Sequence, residues 1–95
     1  MAVYMIVDIT VNDPSAYEEY TAKVPALSRK YGGEYLARGG NYHVLEGDWR
    51  PGRLVVSRFP DKESVEAFFN DPEYEPLKEL RDRVAKTNII VVEGL

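Results

Sequence analysis

Cysteine is absent from this 95-residue chain, histidine and tryptophan occur once each, and no apolar run reaches the length of a membrane span. Each shortage closes a class of function. Without cysteine there are no disulfides, thiolate metal sites or cysteine nucleophiles, and nothing marks the chain for an oxidising compartment, so a cytoplasmic location is expected. A spanning helix needs about 20 consecutive apolar residues. The stretch MAVYMIVDITV is interrupted by Asp8 and has no basic segment ahead of it, so it reads as a strand rather than a signal segment. No membrane residence is expected. Twelve basic against 16 acidic residues leave a formal charge of −4, with the basic residues scattered, which argues against nucleic-acid binding. There is no G-x-S-x-G, no phosphate-binding loop and no G-x-G-x-x-G following a strand, so serine hydrolysis and nucleotide chemistry have no support and no cofactor is expected. With one histidine and no cysteine, no metal site is expected either.

What is present is an ordinary globular composition, 44% apolar and 29% charged. It implies a single domain over residues 1–95, short enough that folding alone hides only about 60 to 65% of the unfolded surface. Alternation of apolar residues predicts a strand over 3–11. Asn12-Asp13-Pro14 offers a cap and a proline at the first helical position, and Tyr17, Tyr20, Val24, Leu27 and Tyr31 recur at helical spacing, predicting a helix over 14–31. Pro25 lies inside it and cannot donate to the carbonyl of Thr21, so a kink or early end is expected there. Gly32-Gly33 stops the helix. A strand over 34–38 follows, with Gly39-Gly40 read as a bulge before it resumes over 42–46. Turn residues over 47–52 lead to a strand over 53–59, a helix over 62–70 and, after Asp71-Pro72, a second helical segment ending near Lys86. A last strand covers 88–93. The order β-α-β-β-α-β predicts an α+β, ferredoxin-like fold: a four-stranded antiparallel sheet with its helices on one face. The first and last strands are apolar on both faces, which an open sheet with one wet face should not be. A second copy of the chain is therefore expected to cover the other face, giving a homodimer packed sheet to sheet.

The segments YGGEYLARGG (31–40), LEGDWRPGR (45–53), Phe59-Pro60, DPEYEPL (71–77), Arg81 and the terminal VEG (92–94) resemble the DUF1330 family over nearly the whole chain. That resemblance implies a dimeric α+β barrel with a small-molecule cleft between each sheet and its helices. The superfamily includes cofactor-free monooxygenases, isomerases, haem-degrading enzymes and ligand-binding modules, and the family itself implies no agreed activity. Arg58 is a departure, standing before Phe59-Pro60 where family members more often carry a carboxylate.

The candidate site residues each have two readings. Arg38, at a strand end beside glycines, either clamps a carboxylate or enolate oxygen or pairs with Glu46. Glu46 either acts as a general base in a desolvated cleft or accepts turn amides. His43 is the one residue available for imidazole chemistry, against a solvent-facing position in the resumed strand. Trp49 closes one end of the cleft or anchors the dimer. Tyr20 places a phenol toward a substrate oxygen, with Tyr17 beside it as core or lining. Tyr74 and Arg81, seven apart, share a helix face, and Arg81 meets either a ligand or a carboxylate such as Glu93. The expected catalytic set is Arg38, Glu46, Tyr20 and His43, with Trp49, Tyr17, Tyr74 and Arg81 binding substrate. Together these point to a cofactor-independent enzyme performing oxygenation, isomerisation or decarboxylation on an acidic or aromatic metabolite. The alternative is a non-catalytic module that binds or senses a small molecule in the same cleft. Pairing of both arginines with carboxylates would favour that alternative. A purely structural dimer would leave the polar residues near the glycines without a use.

Overall fold

A computed structural model describes residues 1–95. Its elements are β1 (Val3–Val11), α1 (Pro14–Lys30), β2 (Glu34–Arg38), β3 (Arg53–Phe59), α2 (Lys62–Asn70), α3 (Tyr74–Val84) and β4 (Ala85–Glu93). The four strands form one antiparallel sheet in the order β2-β3-β1-β4. This is the expected ferredoxin-like fold.

Period-2 alternation on β1 decides which side holds the core. Val3, Met5, Val7 and Ile9 are buried together with Val55 and Phe59 of β3, under Tyr17, Val24 and Leu27 of α1, Phe68 of α2 and Tyr74, Leu77 and Leu80 of α3. Aromatic contacts tie the helical layer together: Phe68 stands 4.7 Å from Tyr74 and 5.9 Å from Phe59, ring centroid to ring centroid. Such pairs are worth about 0.5–1.5 kcal/mol each beyond the area they bury. The register places Tyr4, Ile6 and Asp8 on the opposite, outer face, beside Leu54, Val56 and Arg58 of β3 and Asn88, Ile90 and Val92 of β4. There Ile90 is 61% and Val92 47% exposed.

The helix caps follow the sequence. Asp13 accepts from the Ala16 amide at 3.2 Å, and Asp61 accepts from both the amide and the hydroxyl of Ser64. Asp71 does more than cap a helix start. It closes α2, and its carboxylate accepts from the Glu73 amide, the Tyr31 hydroxyl and the Lys30 ammonium, joining the end of α1 to the α2–α3 junction. The Tyr31 hydroxyl, the Glu73 amide and Lys30 hold this carboxyl below the usual carboxylate range.

Four local expectations are corrected. α1 runs unbroken past Pro25 to Lys30, because the carbonyl left without a helical donor is satisfied from outside the helix, by Arg38 Nη2 donating to Thr21 O at 2.9 Å. Residues 42–46 form no strand. Gly39, at φ +72°, donates to Leu54 O at 2.7 Å and then turns the chain off the sheet. The bulge lies at the shift between Tyr35 and Ala37 rather than at the glycines. β4 starts at Ala85, because Val11, Thr10, Ile9 and Asp8 of β1 offer ladder partners to the polar stretch from Ala85 to Asn88.

The connection 39–52 is pinned at its far end. Asp8, on the outer face of β1, accepts from Gly52 N at 2.9 Å and from Trp49 Nε1 at 3.1 Å. A Cβ at Gly52 would stand 2.3 Å from the carbonyl oxygen of Ile9, so only glycine lets the chain pass this close to β1.

Candidate functional site

Between the inner sheet face and the helices lies a cavity of about 40 Å³. Its floor is Met5, Val7, Ile9, Val55 and Ser57, and its roof is Tyr17, Tyr20, Val24, Phe68, Phe69 and Tyr74, with Tyr35, Arg38 and Arg53 along the β2–β3 side. That volume accommodates a few water molecules, at roughly 10–15 Å³ each. A metabolite requires side chains to move, since small-molecule pockets run to about 300–1,000 Å³.

The polar groups converge by a definite rule of donors and acceptors. Arg81, 5% exposed, can only donate, and its Nη1 meets the Tyr74 hydroxyl at 2.6 Å. Tyr74 is 1% exposed, and burial, with Tyr20 alongside, pushes its phenol far above the ordinary range, so it stays protonated. Its oxygen faces the Tyr20 hydroxyl at 3.3 Å. Arg81 donates into Tyr74, and either phenol can donate to the other; in the arrangement where Tyr74 donates to Tyr20, the Tyr20 proton is left to meet an oxygen in the cavity. Burial also raises the Tyr17 and Tyr35 phenols. Tyr17 stacks on Tyr20 at 5.4 Å, fixing the ring that carries the terminal donor.

Arg38 lies over the Tyr35 ring at 4.8 Å while it donates to Thr21 O, spanning the side of the cavity from β2 to α1. Neither expected arginine pair forms: Arg38 is not bound to Glu46, and Arg81 pairs with Asp82 rather than Glu93. Arg38 is held by the carbonyl that Pro25 frees, and Glu93 sits at the exposed far end of β4. Glu46 and His43 are exposed in the connection 39–52 and do not line the cavity. Trp49, 61% exposed, stands at the outer face against Asp8, Ile6 and Ile90, on the opposite side of the sheet from the cavity. Of the eight candidates, the structure brings Arg38, Tyr17, Tyr20 and Tyr74 to the cavity wall, with Arg81 directly behind Tyr74.

Among the polar lining residues outside the candidate set are Tyr35, Arg53 and Ser57. Ser57 is 1% exposed and its Oγ has no hydrogen-bond partner, as is also true of the buried Arg53 Nε. The available signal was alternation along β3, which puts Arg53 and Ser57 on the same face as Val55 and Phe59. No carboxylate or imidazole lines the cavity, and no three acidic or imidazole groups gather anywhere to hold a metal ion. No helix is long and apolar enough to cross a membrane.

The fold is shared with solved structures. A protein of unknown function from Rhodopseudomonas palustris, RPA0582, is 18% identical, with a TM-score of 0.80 over 99% of this chain and 82% of its own. A dimeric ferredoxin-like protein of unknown function from Jannaschia sp. CCS1 is 16% identical, with a TM-score of 0.77 over 99% and 100% of the two chains. SnoaB, a cofactor-independent oxygenase from Streptomyces nogalater, is 13% identical, with a TM-score of 0.68 over 99% and 93%. No curated protein matches the sequence. At these identities the neighbours speak to fold alone. The family model of a domain of unknown function, DUF1330, matches residues 2–95, all but the first position, and on that match the chain belongs to the DUF1330 family.

Proposed function

We propose that the protein is a homodimer whose sheet–helix cleft binds an acidic or aromatic metabolite and stabilises an oxyanion on it, in cofactor-independent oxygenation, isomerisation or decarboxylation. The observation that carries this reading is the hydrogen-bonded series Arg81, Tyr74 and Tyr20, which lets Tyr20 present its proton to a mostly apolar cavity when Tyr74 donates to it. A fixed donor backed by a buried cation strengthens as negative charge develops on a bound oxygen, which is how such groups lower a barrier. SnoaB, which shares the fold, is a cofactor-independent oxygenase; this is an analogy of fold and supports the class of chemistry only. The dimer rests on the exposed outer face of Ile90 and Val92, flanked by Trp49, and on the dimeric state of the Jannaschia protein. Arg58 lies on that face opposite Tyr4 and Glu34, so its charge is read at the dimer contact rather than in the cleft.

The experiment is turnover and oxygen uptake with a panel of quinols and hydroxyaromatic acids, comparing the parent with Tyr20→Phe. Loss of an oxyanion donor lowers kcat by about 10²–10³, and an unchanged kcat in Tyr20→Phe removes the proposal. A second reading is a non-catalytic binding module. It is favoured by the lining itself, which offers no carboxylate or imidazole to remove a proton. Tight binding with no turnover across the panel selects it.

A further inference from the structure

We infer that the cavity has a second subsite, for an anionic head group, made by the guanidiniums of Arg53 and Arg38, and that the ligand is an amphipathic monocarboxylate. Its carboxylate sits at Arg53, its ring lies against Val55 and Met5, and an oxygen at its far end meets the Ser57 hydroxyl. The inference deepens the cleft reading above and rests on it.

Three observations converge. Ser57 Oγ is a buried hydroxyl with no partner, and Arg53 Nε is likewise buried without one; buried polar atoms are normally paired, and an unpaired one at a cavity marks where a ligand atom or water belongs. The cavity wall holds two guanidiniums and no carboxylate, and neither Arg38 nor Arg53 takes part in an ion pair. The side chain of Arg53 is seated on Gly39, where a Cβ would stand 2.6 Å from Nε and 3.1 Å from Cζ. Any other residue at 39 would displace the guanidinium, and the positive φ there adds a backbone cost. The glycine after Arg38 is thus the bed of a second arginine.

The register sets the ligand's length. Arg53, Val55 and Ser57 succeed one another on the inner face of β3, with Arg38 opposite Val55 and Tyr35 opposite Ser57. At about 3.3 Å per residue, Arg53 and Ser57 are roughly 13 Å apart along the strand. With the Arg53 side chain reaching toward Ser57, one ring with a short carboxylate arm spans that gap. Arg38 bridges from β2 to α1 through Thr21 O. A carboxylate that drew Arg38 off this carbonyl would both gain a cation and release a tie across the narrow cavity.

The test is calorimetric titration of the full-length protein with para-hydroxyphenylacetate, its neutral amide, and phenylacetate, with inorganic phosphate as a bare anion. The acid binds at least about tenfold more tightly than the amide, and phosphate binds weakly because it has no apolar body. Arg53→Met abolishes the preference for acid over amide, and Arg53→Lys keeps part of it. Ser57→Ala weakens para-hydroxyphenylacetate but not phenylacetate. The exposed Arg50→Ala variant behaves as the parent. Equal binding of acid and amide overturns the anionic subsite while leaving the cleft reading standing. Acid preference that survives Arg53→Met in a folded variant also overturns it. Binding of none of the aromatic probes at millimolar concentration overturns both.

Discussion

Replacing Tyr74 by Phe isolates one oxygen atom on which a buried cation depends. The ring stays, 4.7 Å from Phe68 and 5.2 Å from Phe69, so packing is preserved. What is lost is the acceptor for Arg81 Nη1 at 2.6 Å. The Arg81 side chain is 6% exposed, its Nε already lacks a partner, and its remaining tie is to Asp82, itself 51% exposed. A hydrogen bond to a charged group contributes about 1.5–3 kcal/mol. Tyr74→Phe is therefore expected to cost about 2 kcal/mol. For a domain of this size that lowers Tm by roughly 8–16 °C. The assay is urea unfolding at a fixed protein concentration, because the proposed dimerisation would make apparent stability concentration-dependent. Arg81→Met removes the charge along with its need, so the double variant should lose less than the sum of the two singles, with a coupling near 2 kcal/mol. A Tyr74→Phe protein within about 0.5 kcal/mol of the parent, or strictly additive singles, would show that Arg81 does not depend on the Tyr74 oxygen.

The tie between Arg38 and α1 depends on Pro25. Arg38→Ala should cost about 1 kcal/mol in the parent and less than half of that in a Pro25→Ala background, where Thr21 O regains a helical donor; equal costs by chemical denaturation would contradict this. Asp71 predicts an acid limb. Its carboxyl is held low in the folded chain, so its contribution is complete above the unfolded value near 3.9 and is lost as pH falls through the lower folded value. Thermal melts of Asp71→Asn should therefore show a shallower loss of stability below pH ~4 than the parent. On the outer sheet face, Ile90→Glu places a charge in the proposed dimer contact, and sedimentation equilibrium should shift to monomer; an unshifted dimer would move the interface elsewhere.

Much of this fold is legible because its strands and helices obey simple periods. The bounds of β1, β3 and α2 coincide with the alternation and helical spacing of their residues, and the apolar outer face of β1 and β4 shows in the sequence before any coordinates. The start of β4 does not, because Lys86 and Thr87 are polar and are held in the strand by their partners on β1. The density of residues in RGGNYHVLEGDW misled in a different way. Composition cannot tell a loop pinned by Asp8 to the outer face from a strand that returns to the cleft, so His43, Glu46 and Trp49 were placed beside a cavity they do not line. Arg38 was legible as a residue of interest, but the carbonyl it holds became visible only when α1 and β2 were laid side by side. Tyr20 and Tyr74 are 54 residues apart in the chain, and their shared hydrogen bond had no local signature.

In the proposed function the sheet–helix cavity, and not the glycine-rich connection, is the working site. Its most direct measurement is an amide and side-chain chemical-shift titration of the protein with para-hydroxyphenylacetate. Saturable shifts are expected at Tyr20, Tyr35, Arg53, Ser57 and Tyr74. Shifts confined to residues 40–50, with the inner face of β3 unmoved, would contradict it.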